Sequence, residues 1–279
     1  MLRWPVISHL TGVKYGEKAF VTCADFVTAY VKDHRRNFNP DNLKDLTDVY
    51  LAKIDETSDP ASSFYAGRGE KALINNLIDL FFAGMETVSS SLLWSLLYLL
   101  HYPSWQDRIH REIDSVIGQN RLPTLNDRAK LHETNAFLLE SLRLTSFVPM
   151  SVFHYTSAPV PLKNYVIPPD CMLLTSLYHV MHDPVHFPEP HRFKPERFLD
   201  EQGHFTGHDR VIPFGLGRRL CLGISLADKE LYLFFAGFMQ LYGVYKVPGV
   251  DPPPFGQDDV PVTGLTRTVP MFDLLLKKR

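Results

Sequence analysis

The residue best suited to chemistry is Cys221, near the end of a glycine-rich stretch that runs from Phe214 to Gly223. Pro213 and the glycines disfavour regular structure before the cysteine, whereas residues 224–231 read as a helix. Cys221 is therefore expected at a helix start, where free backbone N–H groups and the helix dipole favour the thiolate that binds metals. A lone cysteine beside an apolar helix is more often a small buried hydrophobe, so the residue alone leaves both interpretations open.

The full spacing Phe-x-x-Gly-x-Arg-x-Cys-x-Gly is more specific than the cysteine alone. It resembles the haem-binding loop of the haem-thiolate monooxygenases, the cytochromes P450, which are the standard case of haem iron held by a Cys thiolate. The resemblance implies that Cys221 is the axial iron ligand in haem b and that Arg219 pairs with a haem propionate. It also implies that Phe214 packs beside the sulfur, while Gly217 and Gly223 leave room for close backbone approach.

The segment Ala-Gly-Met-Glu-Thr, which ends at Thr87, lies within a long helix predicted over residues 70–101. A glycine and a threonine weaken a helix, and an acid in an apolar helix is costly unless it faces water or a functional cavity. Periodicity alone slightly favours a solvent-facing Glu86 and a back-bonded Thr87. The segment also resembles the family's oxygen-activating helix, which opens over the iron. That resemblance implies that Ala83 and Gly84 face the haem, whereas Glu86 and Thr87 relay protons.

A Glu-x-x-Arg motif, Glu140 and Arg143, lies in a helix predicted over residues 131–144. Side chains at i and i+3 share a helix face, but a lone surface pair contributes less than about 1 kcal/mol. The motif resembles the buried pair of the family's penultimate helix, whose third partner would be Arg197 in a Pro-Glu-Arg-Phe segment. The implied role is structural, namely a strongly coupled buried network that locks the helix to the loop presenting Cys221.

Proline is frequent between residues 148 and 212, where the chain must be extended or irregular. Short strands are predicted over 152–156, 165–167 and 172–177. Residues 149–156 resemble the strand over the haem in this family, which implies that His154 donates to a propionate. Residues 262–266 predict a hairpin, whose tip lines the substrate pocket in this family.

The resemblance covers nearly the whole chain and implies a mainly α fold with small β sheets, the cytochrome P450 fold with its N-terminal portion missing. One partial domain is expected over 1–279, with helices in 1–147 and a proline-rich β region in 148–212. The haem-binding loop and the following helix are expected in 213–243, and a hairpin region in 244–279. The membrane anchor that such proteins usually carry in a longer N-terminal part is expected to be absent.

Composition excludes some classes of protein. The 279 residues carry a net charge of −2, which does not favour nucleic-acid binding. Three cysteines form no disulfide framework and suggest a reducing compartment. No secretory signal is predicted, because polar residues follow residues 1–5. No membrane span is predicted, because the most apolar run, residues 92–100, is about half the length that crosses a bilayer. The microsomal style of the segments implies the cytosolic face of the endoplasmic reticulum membrane for the full-length family.

The resemblance implies a monooxygenase that inserts one atom of O2 into a small apolar substrate. Electrons would come from NADPH, indirectly, through NADPH-cytochrome P450 reductase. Two alternatives stay open. One is a haem-thiolate isomerase or dehydratase that acts on a peroxide substrate without O2, although the intact Glu86–Thr87 pair argues against it. The other is a truncated, catalytically inactive fragment or isoform. The motifs do not specify the substrate.

Overall fold

The structure is a computed structural model that describes residues 13–256, 262–263 and 265–279. The chain divides into two compact units, an N-terminal unit that ends at Met85 and a C-terminal unit comprising Glu86–Arg279. Helices dominate both units, and every sheet among the described residues has two strands. The prediction of a mainly α fold with small β sheets is therefore confirmed.

The N-terminal unit contains α1 (Val13–Arg36), α2 (Leu46–Glu56) and the first part of α3 (Ala66–His101). Helix α2 starts at Leu46 because the Asp45 side chain accepts hydrogen bonds from the backbone N–H groups of the first turn, which an N-cap residue must satisfy. The buried apolar side chains of this unit form one cluster, which comprises Val27, Val31, Leu51, Ile54, Leu73 and Ile78.

Helix α3 has 36 residues and runs without interruption through the segment that ends at Thr87. It therefore differs from the opened helix that the family resemblance implies. A single mid-helix glycine costs only about 1 kcal/mol, which a helix of this length tolerates. The prediction of no membrane span rested on residues 92–100 alone. Within the described residues, α3 is the one helix that could span a membrane by length and composition, a test that core helices of soluble proteins also pass.

The described α-helices of the C-terminal unit after α3 are α4 (Pro103–Val116), α5 (His132–Thr145), α6 (Leu177–Met181) and α7 (Ile224–Leu241). Three 3-10 helices are also described, Arg128–Lys130, Pro195–Phe198 and Gly217–Arg219. Helices α4, α5 and α7 pack against one another, and the last turns of α3 add aromatic side chains to the same core. The aromatic members of this core are Trp94, Tyr98, Trp105, Phe137, Phe147, Phe193, Tyr232 and Phe235.

Side chains from other elements cap both ends of α5. At its N-terminus the Glu112 carboxylate accepts from the backbone N–H groups of Glu133 and Thr134 at 2.7 and 2.9 Å. At its C-terminus the buried Arg267 guanidinium donates to the carbonyls of Leu144 and Thr145 at 3.2 and 2.7 Å. These contacts satisfy helix-end groups that have no partner within the helix, and each charge complements the helix dipole.

The described strands are β1 (His154–Tyr155), β2 (Val160–Leu162), β3 (Tyr165–Ile167), β4 (Met172–Leu173), β5 (Tyr242–Tyr245), β6 (Val262–Thr263), β7 (Thr266–Arg267) and β8 (Leu275–Lys278). They pair antiparallel as β1 with β4, β2 with β3, β5 with β8 and β6 with β7. The predicted strands at 152–156 and 172–177 are shortened to two residues each. The pairing of β6 with β7 matches the predicted hairpin, but Gly264 at its tip lies outside the described residues.

Candidate functional site

The loop that carries Cys221 is shaped by its backbone. Gly215 and Gly217 have φ values of +75° and +73°, in the left-handed region that favours glycine. The backbone N–H of Cys221 donates to the carbonyl of Phe214 at 2.8 Å and closes the loop. Helix α7 then follows, with Gly223 at its N-cap position. The loop therefore presents the cysteine immediately before the start of a helix.

The surroundings of the sulfur combine a thiol, a cation and apolar side chains. Cys221 is a free, exposed cysteine. Arg219 is also exposed, and its guanidinium has no hydrogen bond or ion pair to any described residue. Leu216 and Leu222 leave 70% and 88% of their surface exposed. A thiolate for iron, a cation for a propionate and apolar contacts for a porphyrin face are the groups that haem requires, so this donor set fits haem.

The two glycines that the motif places around the cysteine differ in what they require. A Cβ added at Gly217 would meet no heavy atom within 4 Å, so its backbone conformation, not crowding, explains the glycine. At Gly223 an added Cβ would lie 3.9 Å from the Cys221 sulfur, which is ordinary van der Waals contact. Contacts within the protein therefore do not require a glycine at 223.

The second predicted segment lies on α3. Ala83, Gly84 and Glu86 are exposed, and Thr87 is half-buried. A Cβ added at Gly84 would meet no atom within 4 Å, so space is open beside it. The Glu86 carboxylate has no ion pair among the described residues, and the Ser91 hydroxyl donates to the Thr87 carbonyl at 2.7 Å. The segment thus offers an acid and a hydroxyl on adjacent residues of an unbroken helix.

Glu140 and Arg143 form a bidentate, fully buried ion pair. Arg143 Nε and Nη2 donate to the two Glu140 carboxylate oxygens at 2.7 and 2.8 Å, and both side chains are 0% exposed. Arg197 Nε donates to the same carboxylate at 3.2 Å, as does the backbone N–H of Lys194 at 2.9 Å. The three charged residues singled out in the sequence are therefore brought together around one carboxylate.

The remaining donors of the two arginines bind the irregular chain that follows α6. Arg143 Nη1 donates to the carbonyls of Met181 and Pro190 at 2.7 and 2.9 Å. Arg197 Nη1 donates to the carbonyl of Pro188 at 3.0 Å. The network has two arginines but only one carboxylate, and the backbone carbonyls compensate the excess positive charge. These contacts tie α5 to residues 181–197.

His154 lies half-buried on β1, opposite Leu173. Its Nδ1 is 2.7 Å from the carbonyl oxygen of Val152, a contact in which the ring nitrogen donates. With the Nδ1 proton used in this way, Nε2 can donate to an anion only as an imidazolium. The ring can therefore meet a propionate, but in its charged form.

A histidine beside the Glu140 network is strongly perturbed. His182 is buried, with Nδ1 2.9 Å from the Tyr178 carbonyl and its ring 3.8 Å from the Tyr178 ring. Burial lowers the pKa of His182 to about 3, and the positive charge of Arg143 acts in the same direction. The ring is therefore neutral in the folded protein near neutral pH.

One ion pair near the cysteine helix has no counterpart among the sequence motifs. Arg128 binds Asp228 of α7 through both guanidinium Nη atoms. The two residues are 100 positions apart, and neither belongs to a spaced motif. Arg128 lies in a short 3-10 helix, Arg128–Lys130, just before α5, and only the packing of the fold brings it to α7. No local sequence signal could therefore have identified the pair.

Comparison with known proteins agrees with these observations. The family model described as Cytochrome P450 matches residues 5–271. Cytochrome P450 18a1 of Drosophila melanogaster is 38% identical over 257 residues, which are 91% of this chain and 47% of that protein. Cytochrome P450 2U1 of Bos taurus is 37% identical over 91% of this chain and 46% of its own length. Cytochrome P450 2D26 of Mus musculus is 38% identical over 93% of this chain and 52% of its own length.

The chain thus spans about half the length of the curated relatives it matches. The family match, in contrast, covers nearly all of the chain, including the cysteine loop and the Glu140 network. The chain belongs to the cytochrome P450 family.

Proposed function

We propose that this chain carries the haem-binding and oxygen-activating part of a cytochrome P450 monooxygenase. The observation that carries the proposal is the exposed Cys221 before the start of α7, two residues after Arg219, whose guanidinium has no hydrogen bond or ion pair to any described residue. Helix-start N–H groups stabilise the thiolate form of a cysteine, and the open side of the loop leaves that sulfur accessible to a metal. A merely structural cysteine would instead be buried.

The residues around the haem have separate tasks in this proposal. Cys221 holds the iron, and Arg219 and His154 bind the propionates as cations. Phe214 packs beside the sulfur, and Gly217 gives the loop the backbone conformation that turns Cys221 outward. A close approach of the porphyrin ring would explain the small residue at Gly223, which contacts within the protein do not require.

Glu86 and Thr87 deliver protons to the oxygen side in this proposal. Bound haem would supply the iron chemistry that activates O2 for insertion of one oxygen atom into the substrate. An exposed carboxylate exchanges protons with water, and the neighbouring hydroxyl can pass them on because it both donates and accepts. Ala83 and Gly84 present little side-chain volume, and the open space at Gly84 supports their role in admitting O2.

The proposed partners follow from this chemistry. The substrate is a small apolar molecule, and the electrons come from NADPH through NADPH-cytochrome P450 reductase. The proposed location is the cytosolic face of the endoplasmic reticulum membrane, which suits an apolar substrate. All three proposals are supported by membership of the family, whose curated relatives are about twice as long as this chain.

The experiment combines the haem-loaded chain with the reductase, NADPH, 18O2 and apolar probe substrates such as dodecanoic acid. We expect one 18O atom in each product molecule and no product when NADPH or the reductase is omitted. Conversion of an organic hydroperoxide without O2 and NADPH, in the absence of any 18O-labelled product, would instead identify the isomerase or dehydratase alternative. Failure to form any product with haem bound would identify a catalytically inactive chain.

A further inference from the structure

The cysteine end of α7 has no anchor in the hydrophobic core. The buried residues of this 18-residue helix begin at Leu231, and none of residues 224–230 is buried. The N-cap residue is Gly223, which has no side chain to accept from the free N–H groups of the first turn. Core packing therefore holds α7 from Leu231 onward. The first two turns, which follow Cys221, need other contacts to hold them in place.

Arg128 provides that contact. Its Nη2 donates to Asp228 Oδ1 at 2.8 Å, and Nη1 donates to Asp228 Oδ2 and to the Asp228 backbone carbonyl. Across the part of the chain that the structure describes, no other hydrogen bond or ion pair of a side chain joins residues 212–230 to elements outside this segment. A bidentate, charge-assisted pair also fixes orientation, which a single contact does not.

Arg128 is itself held in place. Its Nε donates to Asn135 Oδ1 at 3.0 Å, and Asn135 Nδ2 donates back to the carbonyl of Arg128 at 2.8 Å. The guanidinium lies 5.3 Å from the ring centre of Tyr232, whose hydroxyl donates to the carbonyl of Thr124 at 3.0 Å. Asn135 and Tyr232 are buried. The arginine therefore connects the start of α7 to a rigid part of the core.

We propose that Arg128 and Asp228 are positioning residues. By holding the start of α7, they fix the position and direction of the Cys221 thiolate that precedes it. This inference rests on the proposed function, because a fixed sulfur matters only if it ligates iron. Both side chains keep part of their surface exposed, 31% and 45%, so the pair contributes little to overall stability. Its effect is local, because without it no side-chain hydrogen bond or ion pair in the described chain joins the first two turns of α7 to other elements.

The first test uses the chain without haem and measures amide hydrogen exchange. In Arg128→Gln and in Asp228→Asn we expect the amides of residues 226–230 to exchange about five-fold faster, because one net hydrogen bond no longer opposes local opening. Residues 232–241 should exchange as in the wild type. Arg192→Gln, which removes the exposed pair with Glu189, is the matched control. Unchanged exchange at 226–230, or an equal increase along all of α7, would overturn the proposal.

The second test records the reduced, carbon monoxide-bound absorption spectrum of the haem-loaded chain. Arg128→Gln should shift at least half of the absorbance from the red-shifted thiolate band to an unshifted band. The exchanged pair, Arg128→Asp with Asp228→Arg, should restore the thiolate band, which a general loss of stability would not allow. A full thiolate band in Arg128→Gln, or no recovery in the exchanged pair, contradicts the positioning role. Absence of the thiolate band in the wild type would instead contradict the proposed function. The amide hydrogen exchange measurement would still report whether the pair holds the start of α7, because it needs no haem.

Discussion

Thr87 is the side chain that we propose to pass protons to the oxygen side of the haem. Its carbonyl accepts from Ser91, and a backbone group keeps this contact whatever side chain residue 87 carries. That backbone contact is therefore kept when the Thr87 side chain is substituted. Coupling of oxygen use to product measures the proton delivery that we propose for the hydroxyl.

Thr87→Ala should retain haem but use oxygen wastefully. Without the hydroxyl, protons reach the oxygen side less effectively, and we expect product per NADPH consumed to fall about ten-fold or more, the scale of a lost proton-transfer group. The measurement compares NADPH oxidation, hydrogen peroxide release and product. Thr87→Ser, which keeps the hydroxyl, should stay close to the wild type. Intact coupling in Thr87→Ala would remove Thr87 from the relay.

Single residues also show what could be predicted from the sequence. Glu140 and Arg143 are an i,i+3 pair, so their contact follows from helix geometry, whereas Arg197 was identified only through a motif of the family. The Arg128–Asp228 pair could not be predicted at all, because it depends on how two distant helices meet. A contact between residues three positions apart follows from local helix geometry, whereas a contact between residues 100 positions apart depends on tertiary packing.

At the level of elements, the loop before α7 depends on the left-handed backbone of Gly217. Gly217→Ala should destabilise the chain by about 1–2 kcal/mol, the cost of this conformation for a residue with a Cβ. Gly237→Ala is the matched control, since Gly237 lies within α7 and an added Cβ meets no atom within 4 Å. It should stabilise by about 0.5–1 kcal/mol. Urea unfolding measures the change in the free energy of unfolding for both variants. A change of the same sign in the two variants would contradict this explanation.

The buried network that ties α5 to residues 181–197 should be the most sensitive polar feature of the fold. Arg143→Met leaves the buried Glu140 carboxylate with one remaining cation, and we expect a loss of about 3–5 kcal/mol in the free energy of unfolding. Arg192→Gln, which removes an exposed pair, should change stability by less than about 0.5 kcal/mol. A comparable loss of stability in the two variants would show that the contribution of an ion pair to this fold does not depend on its burial.

The long helices were predictable and the short strands were not. The apolar stripe of residues 70–101 predicted α3 nearly to its ends, because a helix this long repeats its pattern many times. The strands β1 and β4 have two residues each, too few for an alternating pattern to mark their ends. Their length is set by pairing with one another, and strand β2 was missed for the same reason.

For the whole molecule, the titration of His182 predicts a loss of stability in acid. The folded-state pKa is about 3, well below the ordinary value of about 6.5. The unfolded chain therefore binds a proton first, and stability falls as the pH drops from about 6.5 toward 3, by on the order of 1 kcal/mol per pH unit. In His182→Gln, which keeps a donor but cannot titrate, this slope should be smaller in urea unfolding at several pH values. Equal slopes would assign the acid sensitivity to other groups.

The fold class and the family could be recognised from the sequence because the motifs of the cysteine loop and the Glu140 network are specific in spacing. The substrate could not be predicted, because an apolar lining by itself does not specify a ligand. Haem binding through Cys221, the central claim, concerns the molecule as a whole, since the loop with the thiol and Arg219, the strand with His154 and the helix with the proton donors are separate elements.

The most direct test of this claim is the reduced, carbon monoxide-bound spectrum of the 279-residue chain expressed with haem available. We predict a strongly red-shifted Soret band of the thiolate type, its loss in Cys221→Ala, and its retention in Cys171→Ala, which removes a half-buried cysteine outside the loop. An unshifted band or no bound haem in the wild type, or a thiolate band that persists in Cys221→Ala, would contradict the account.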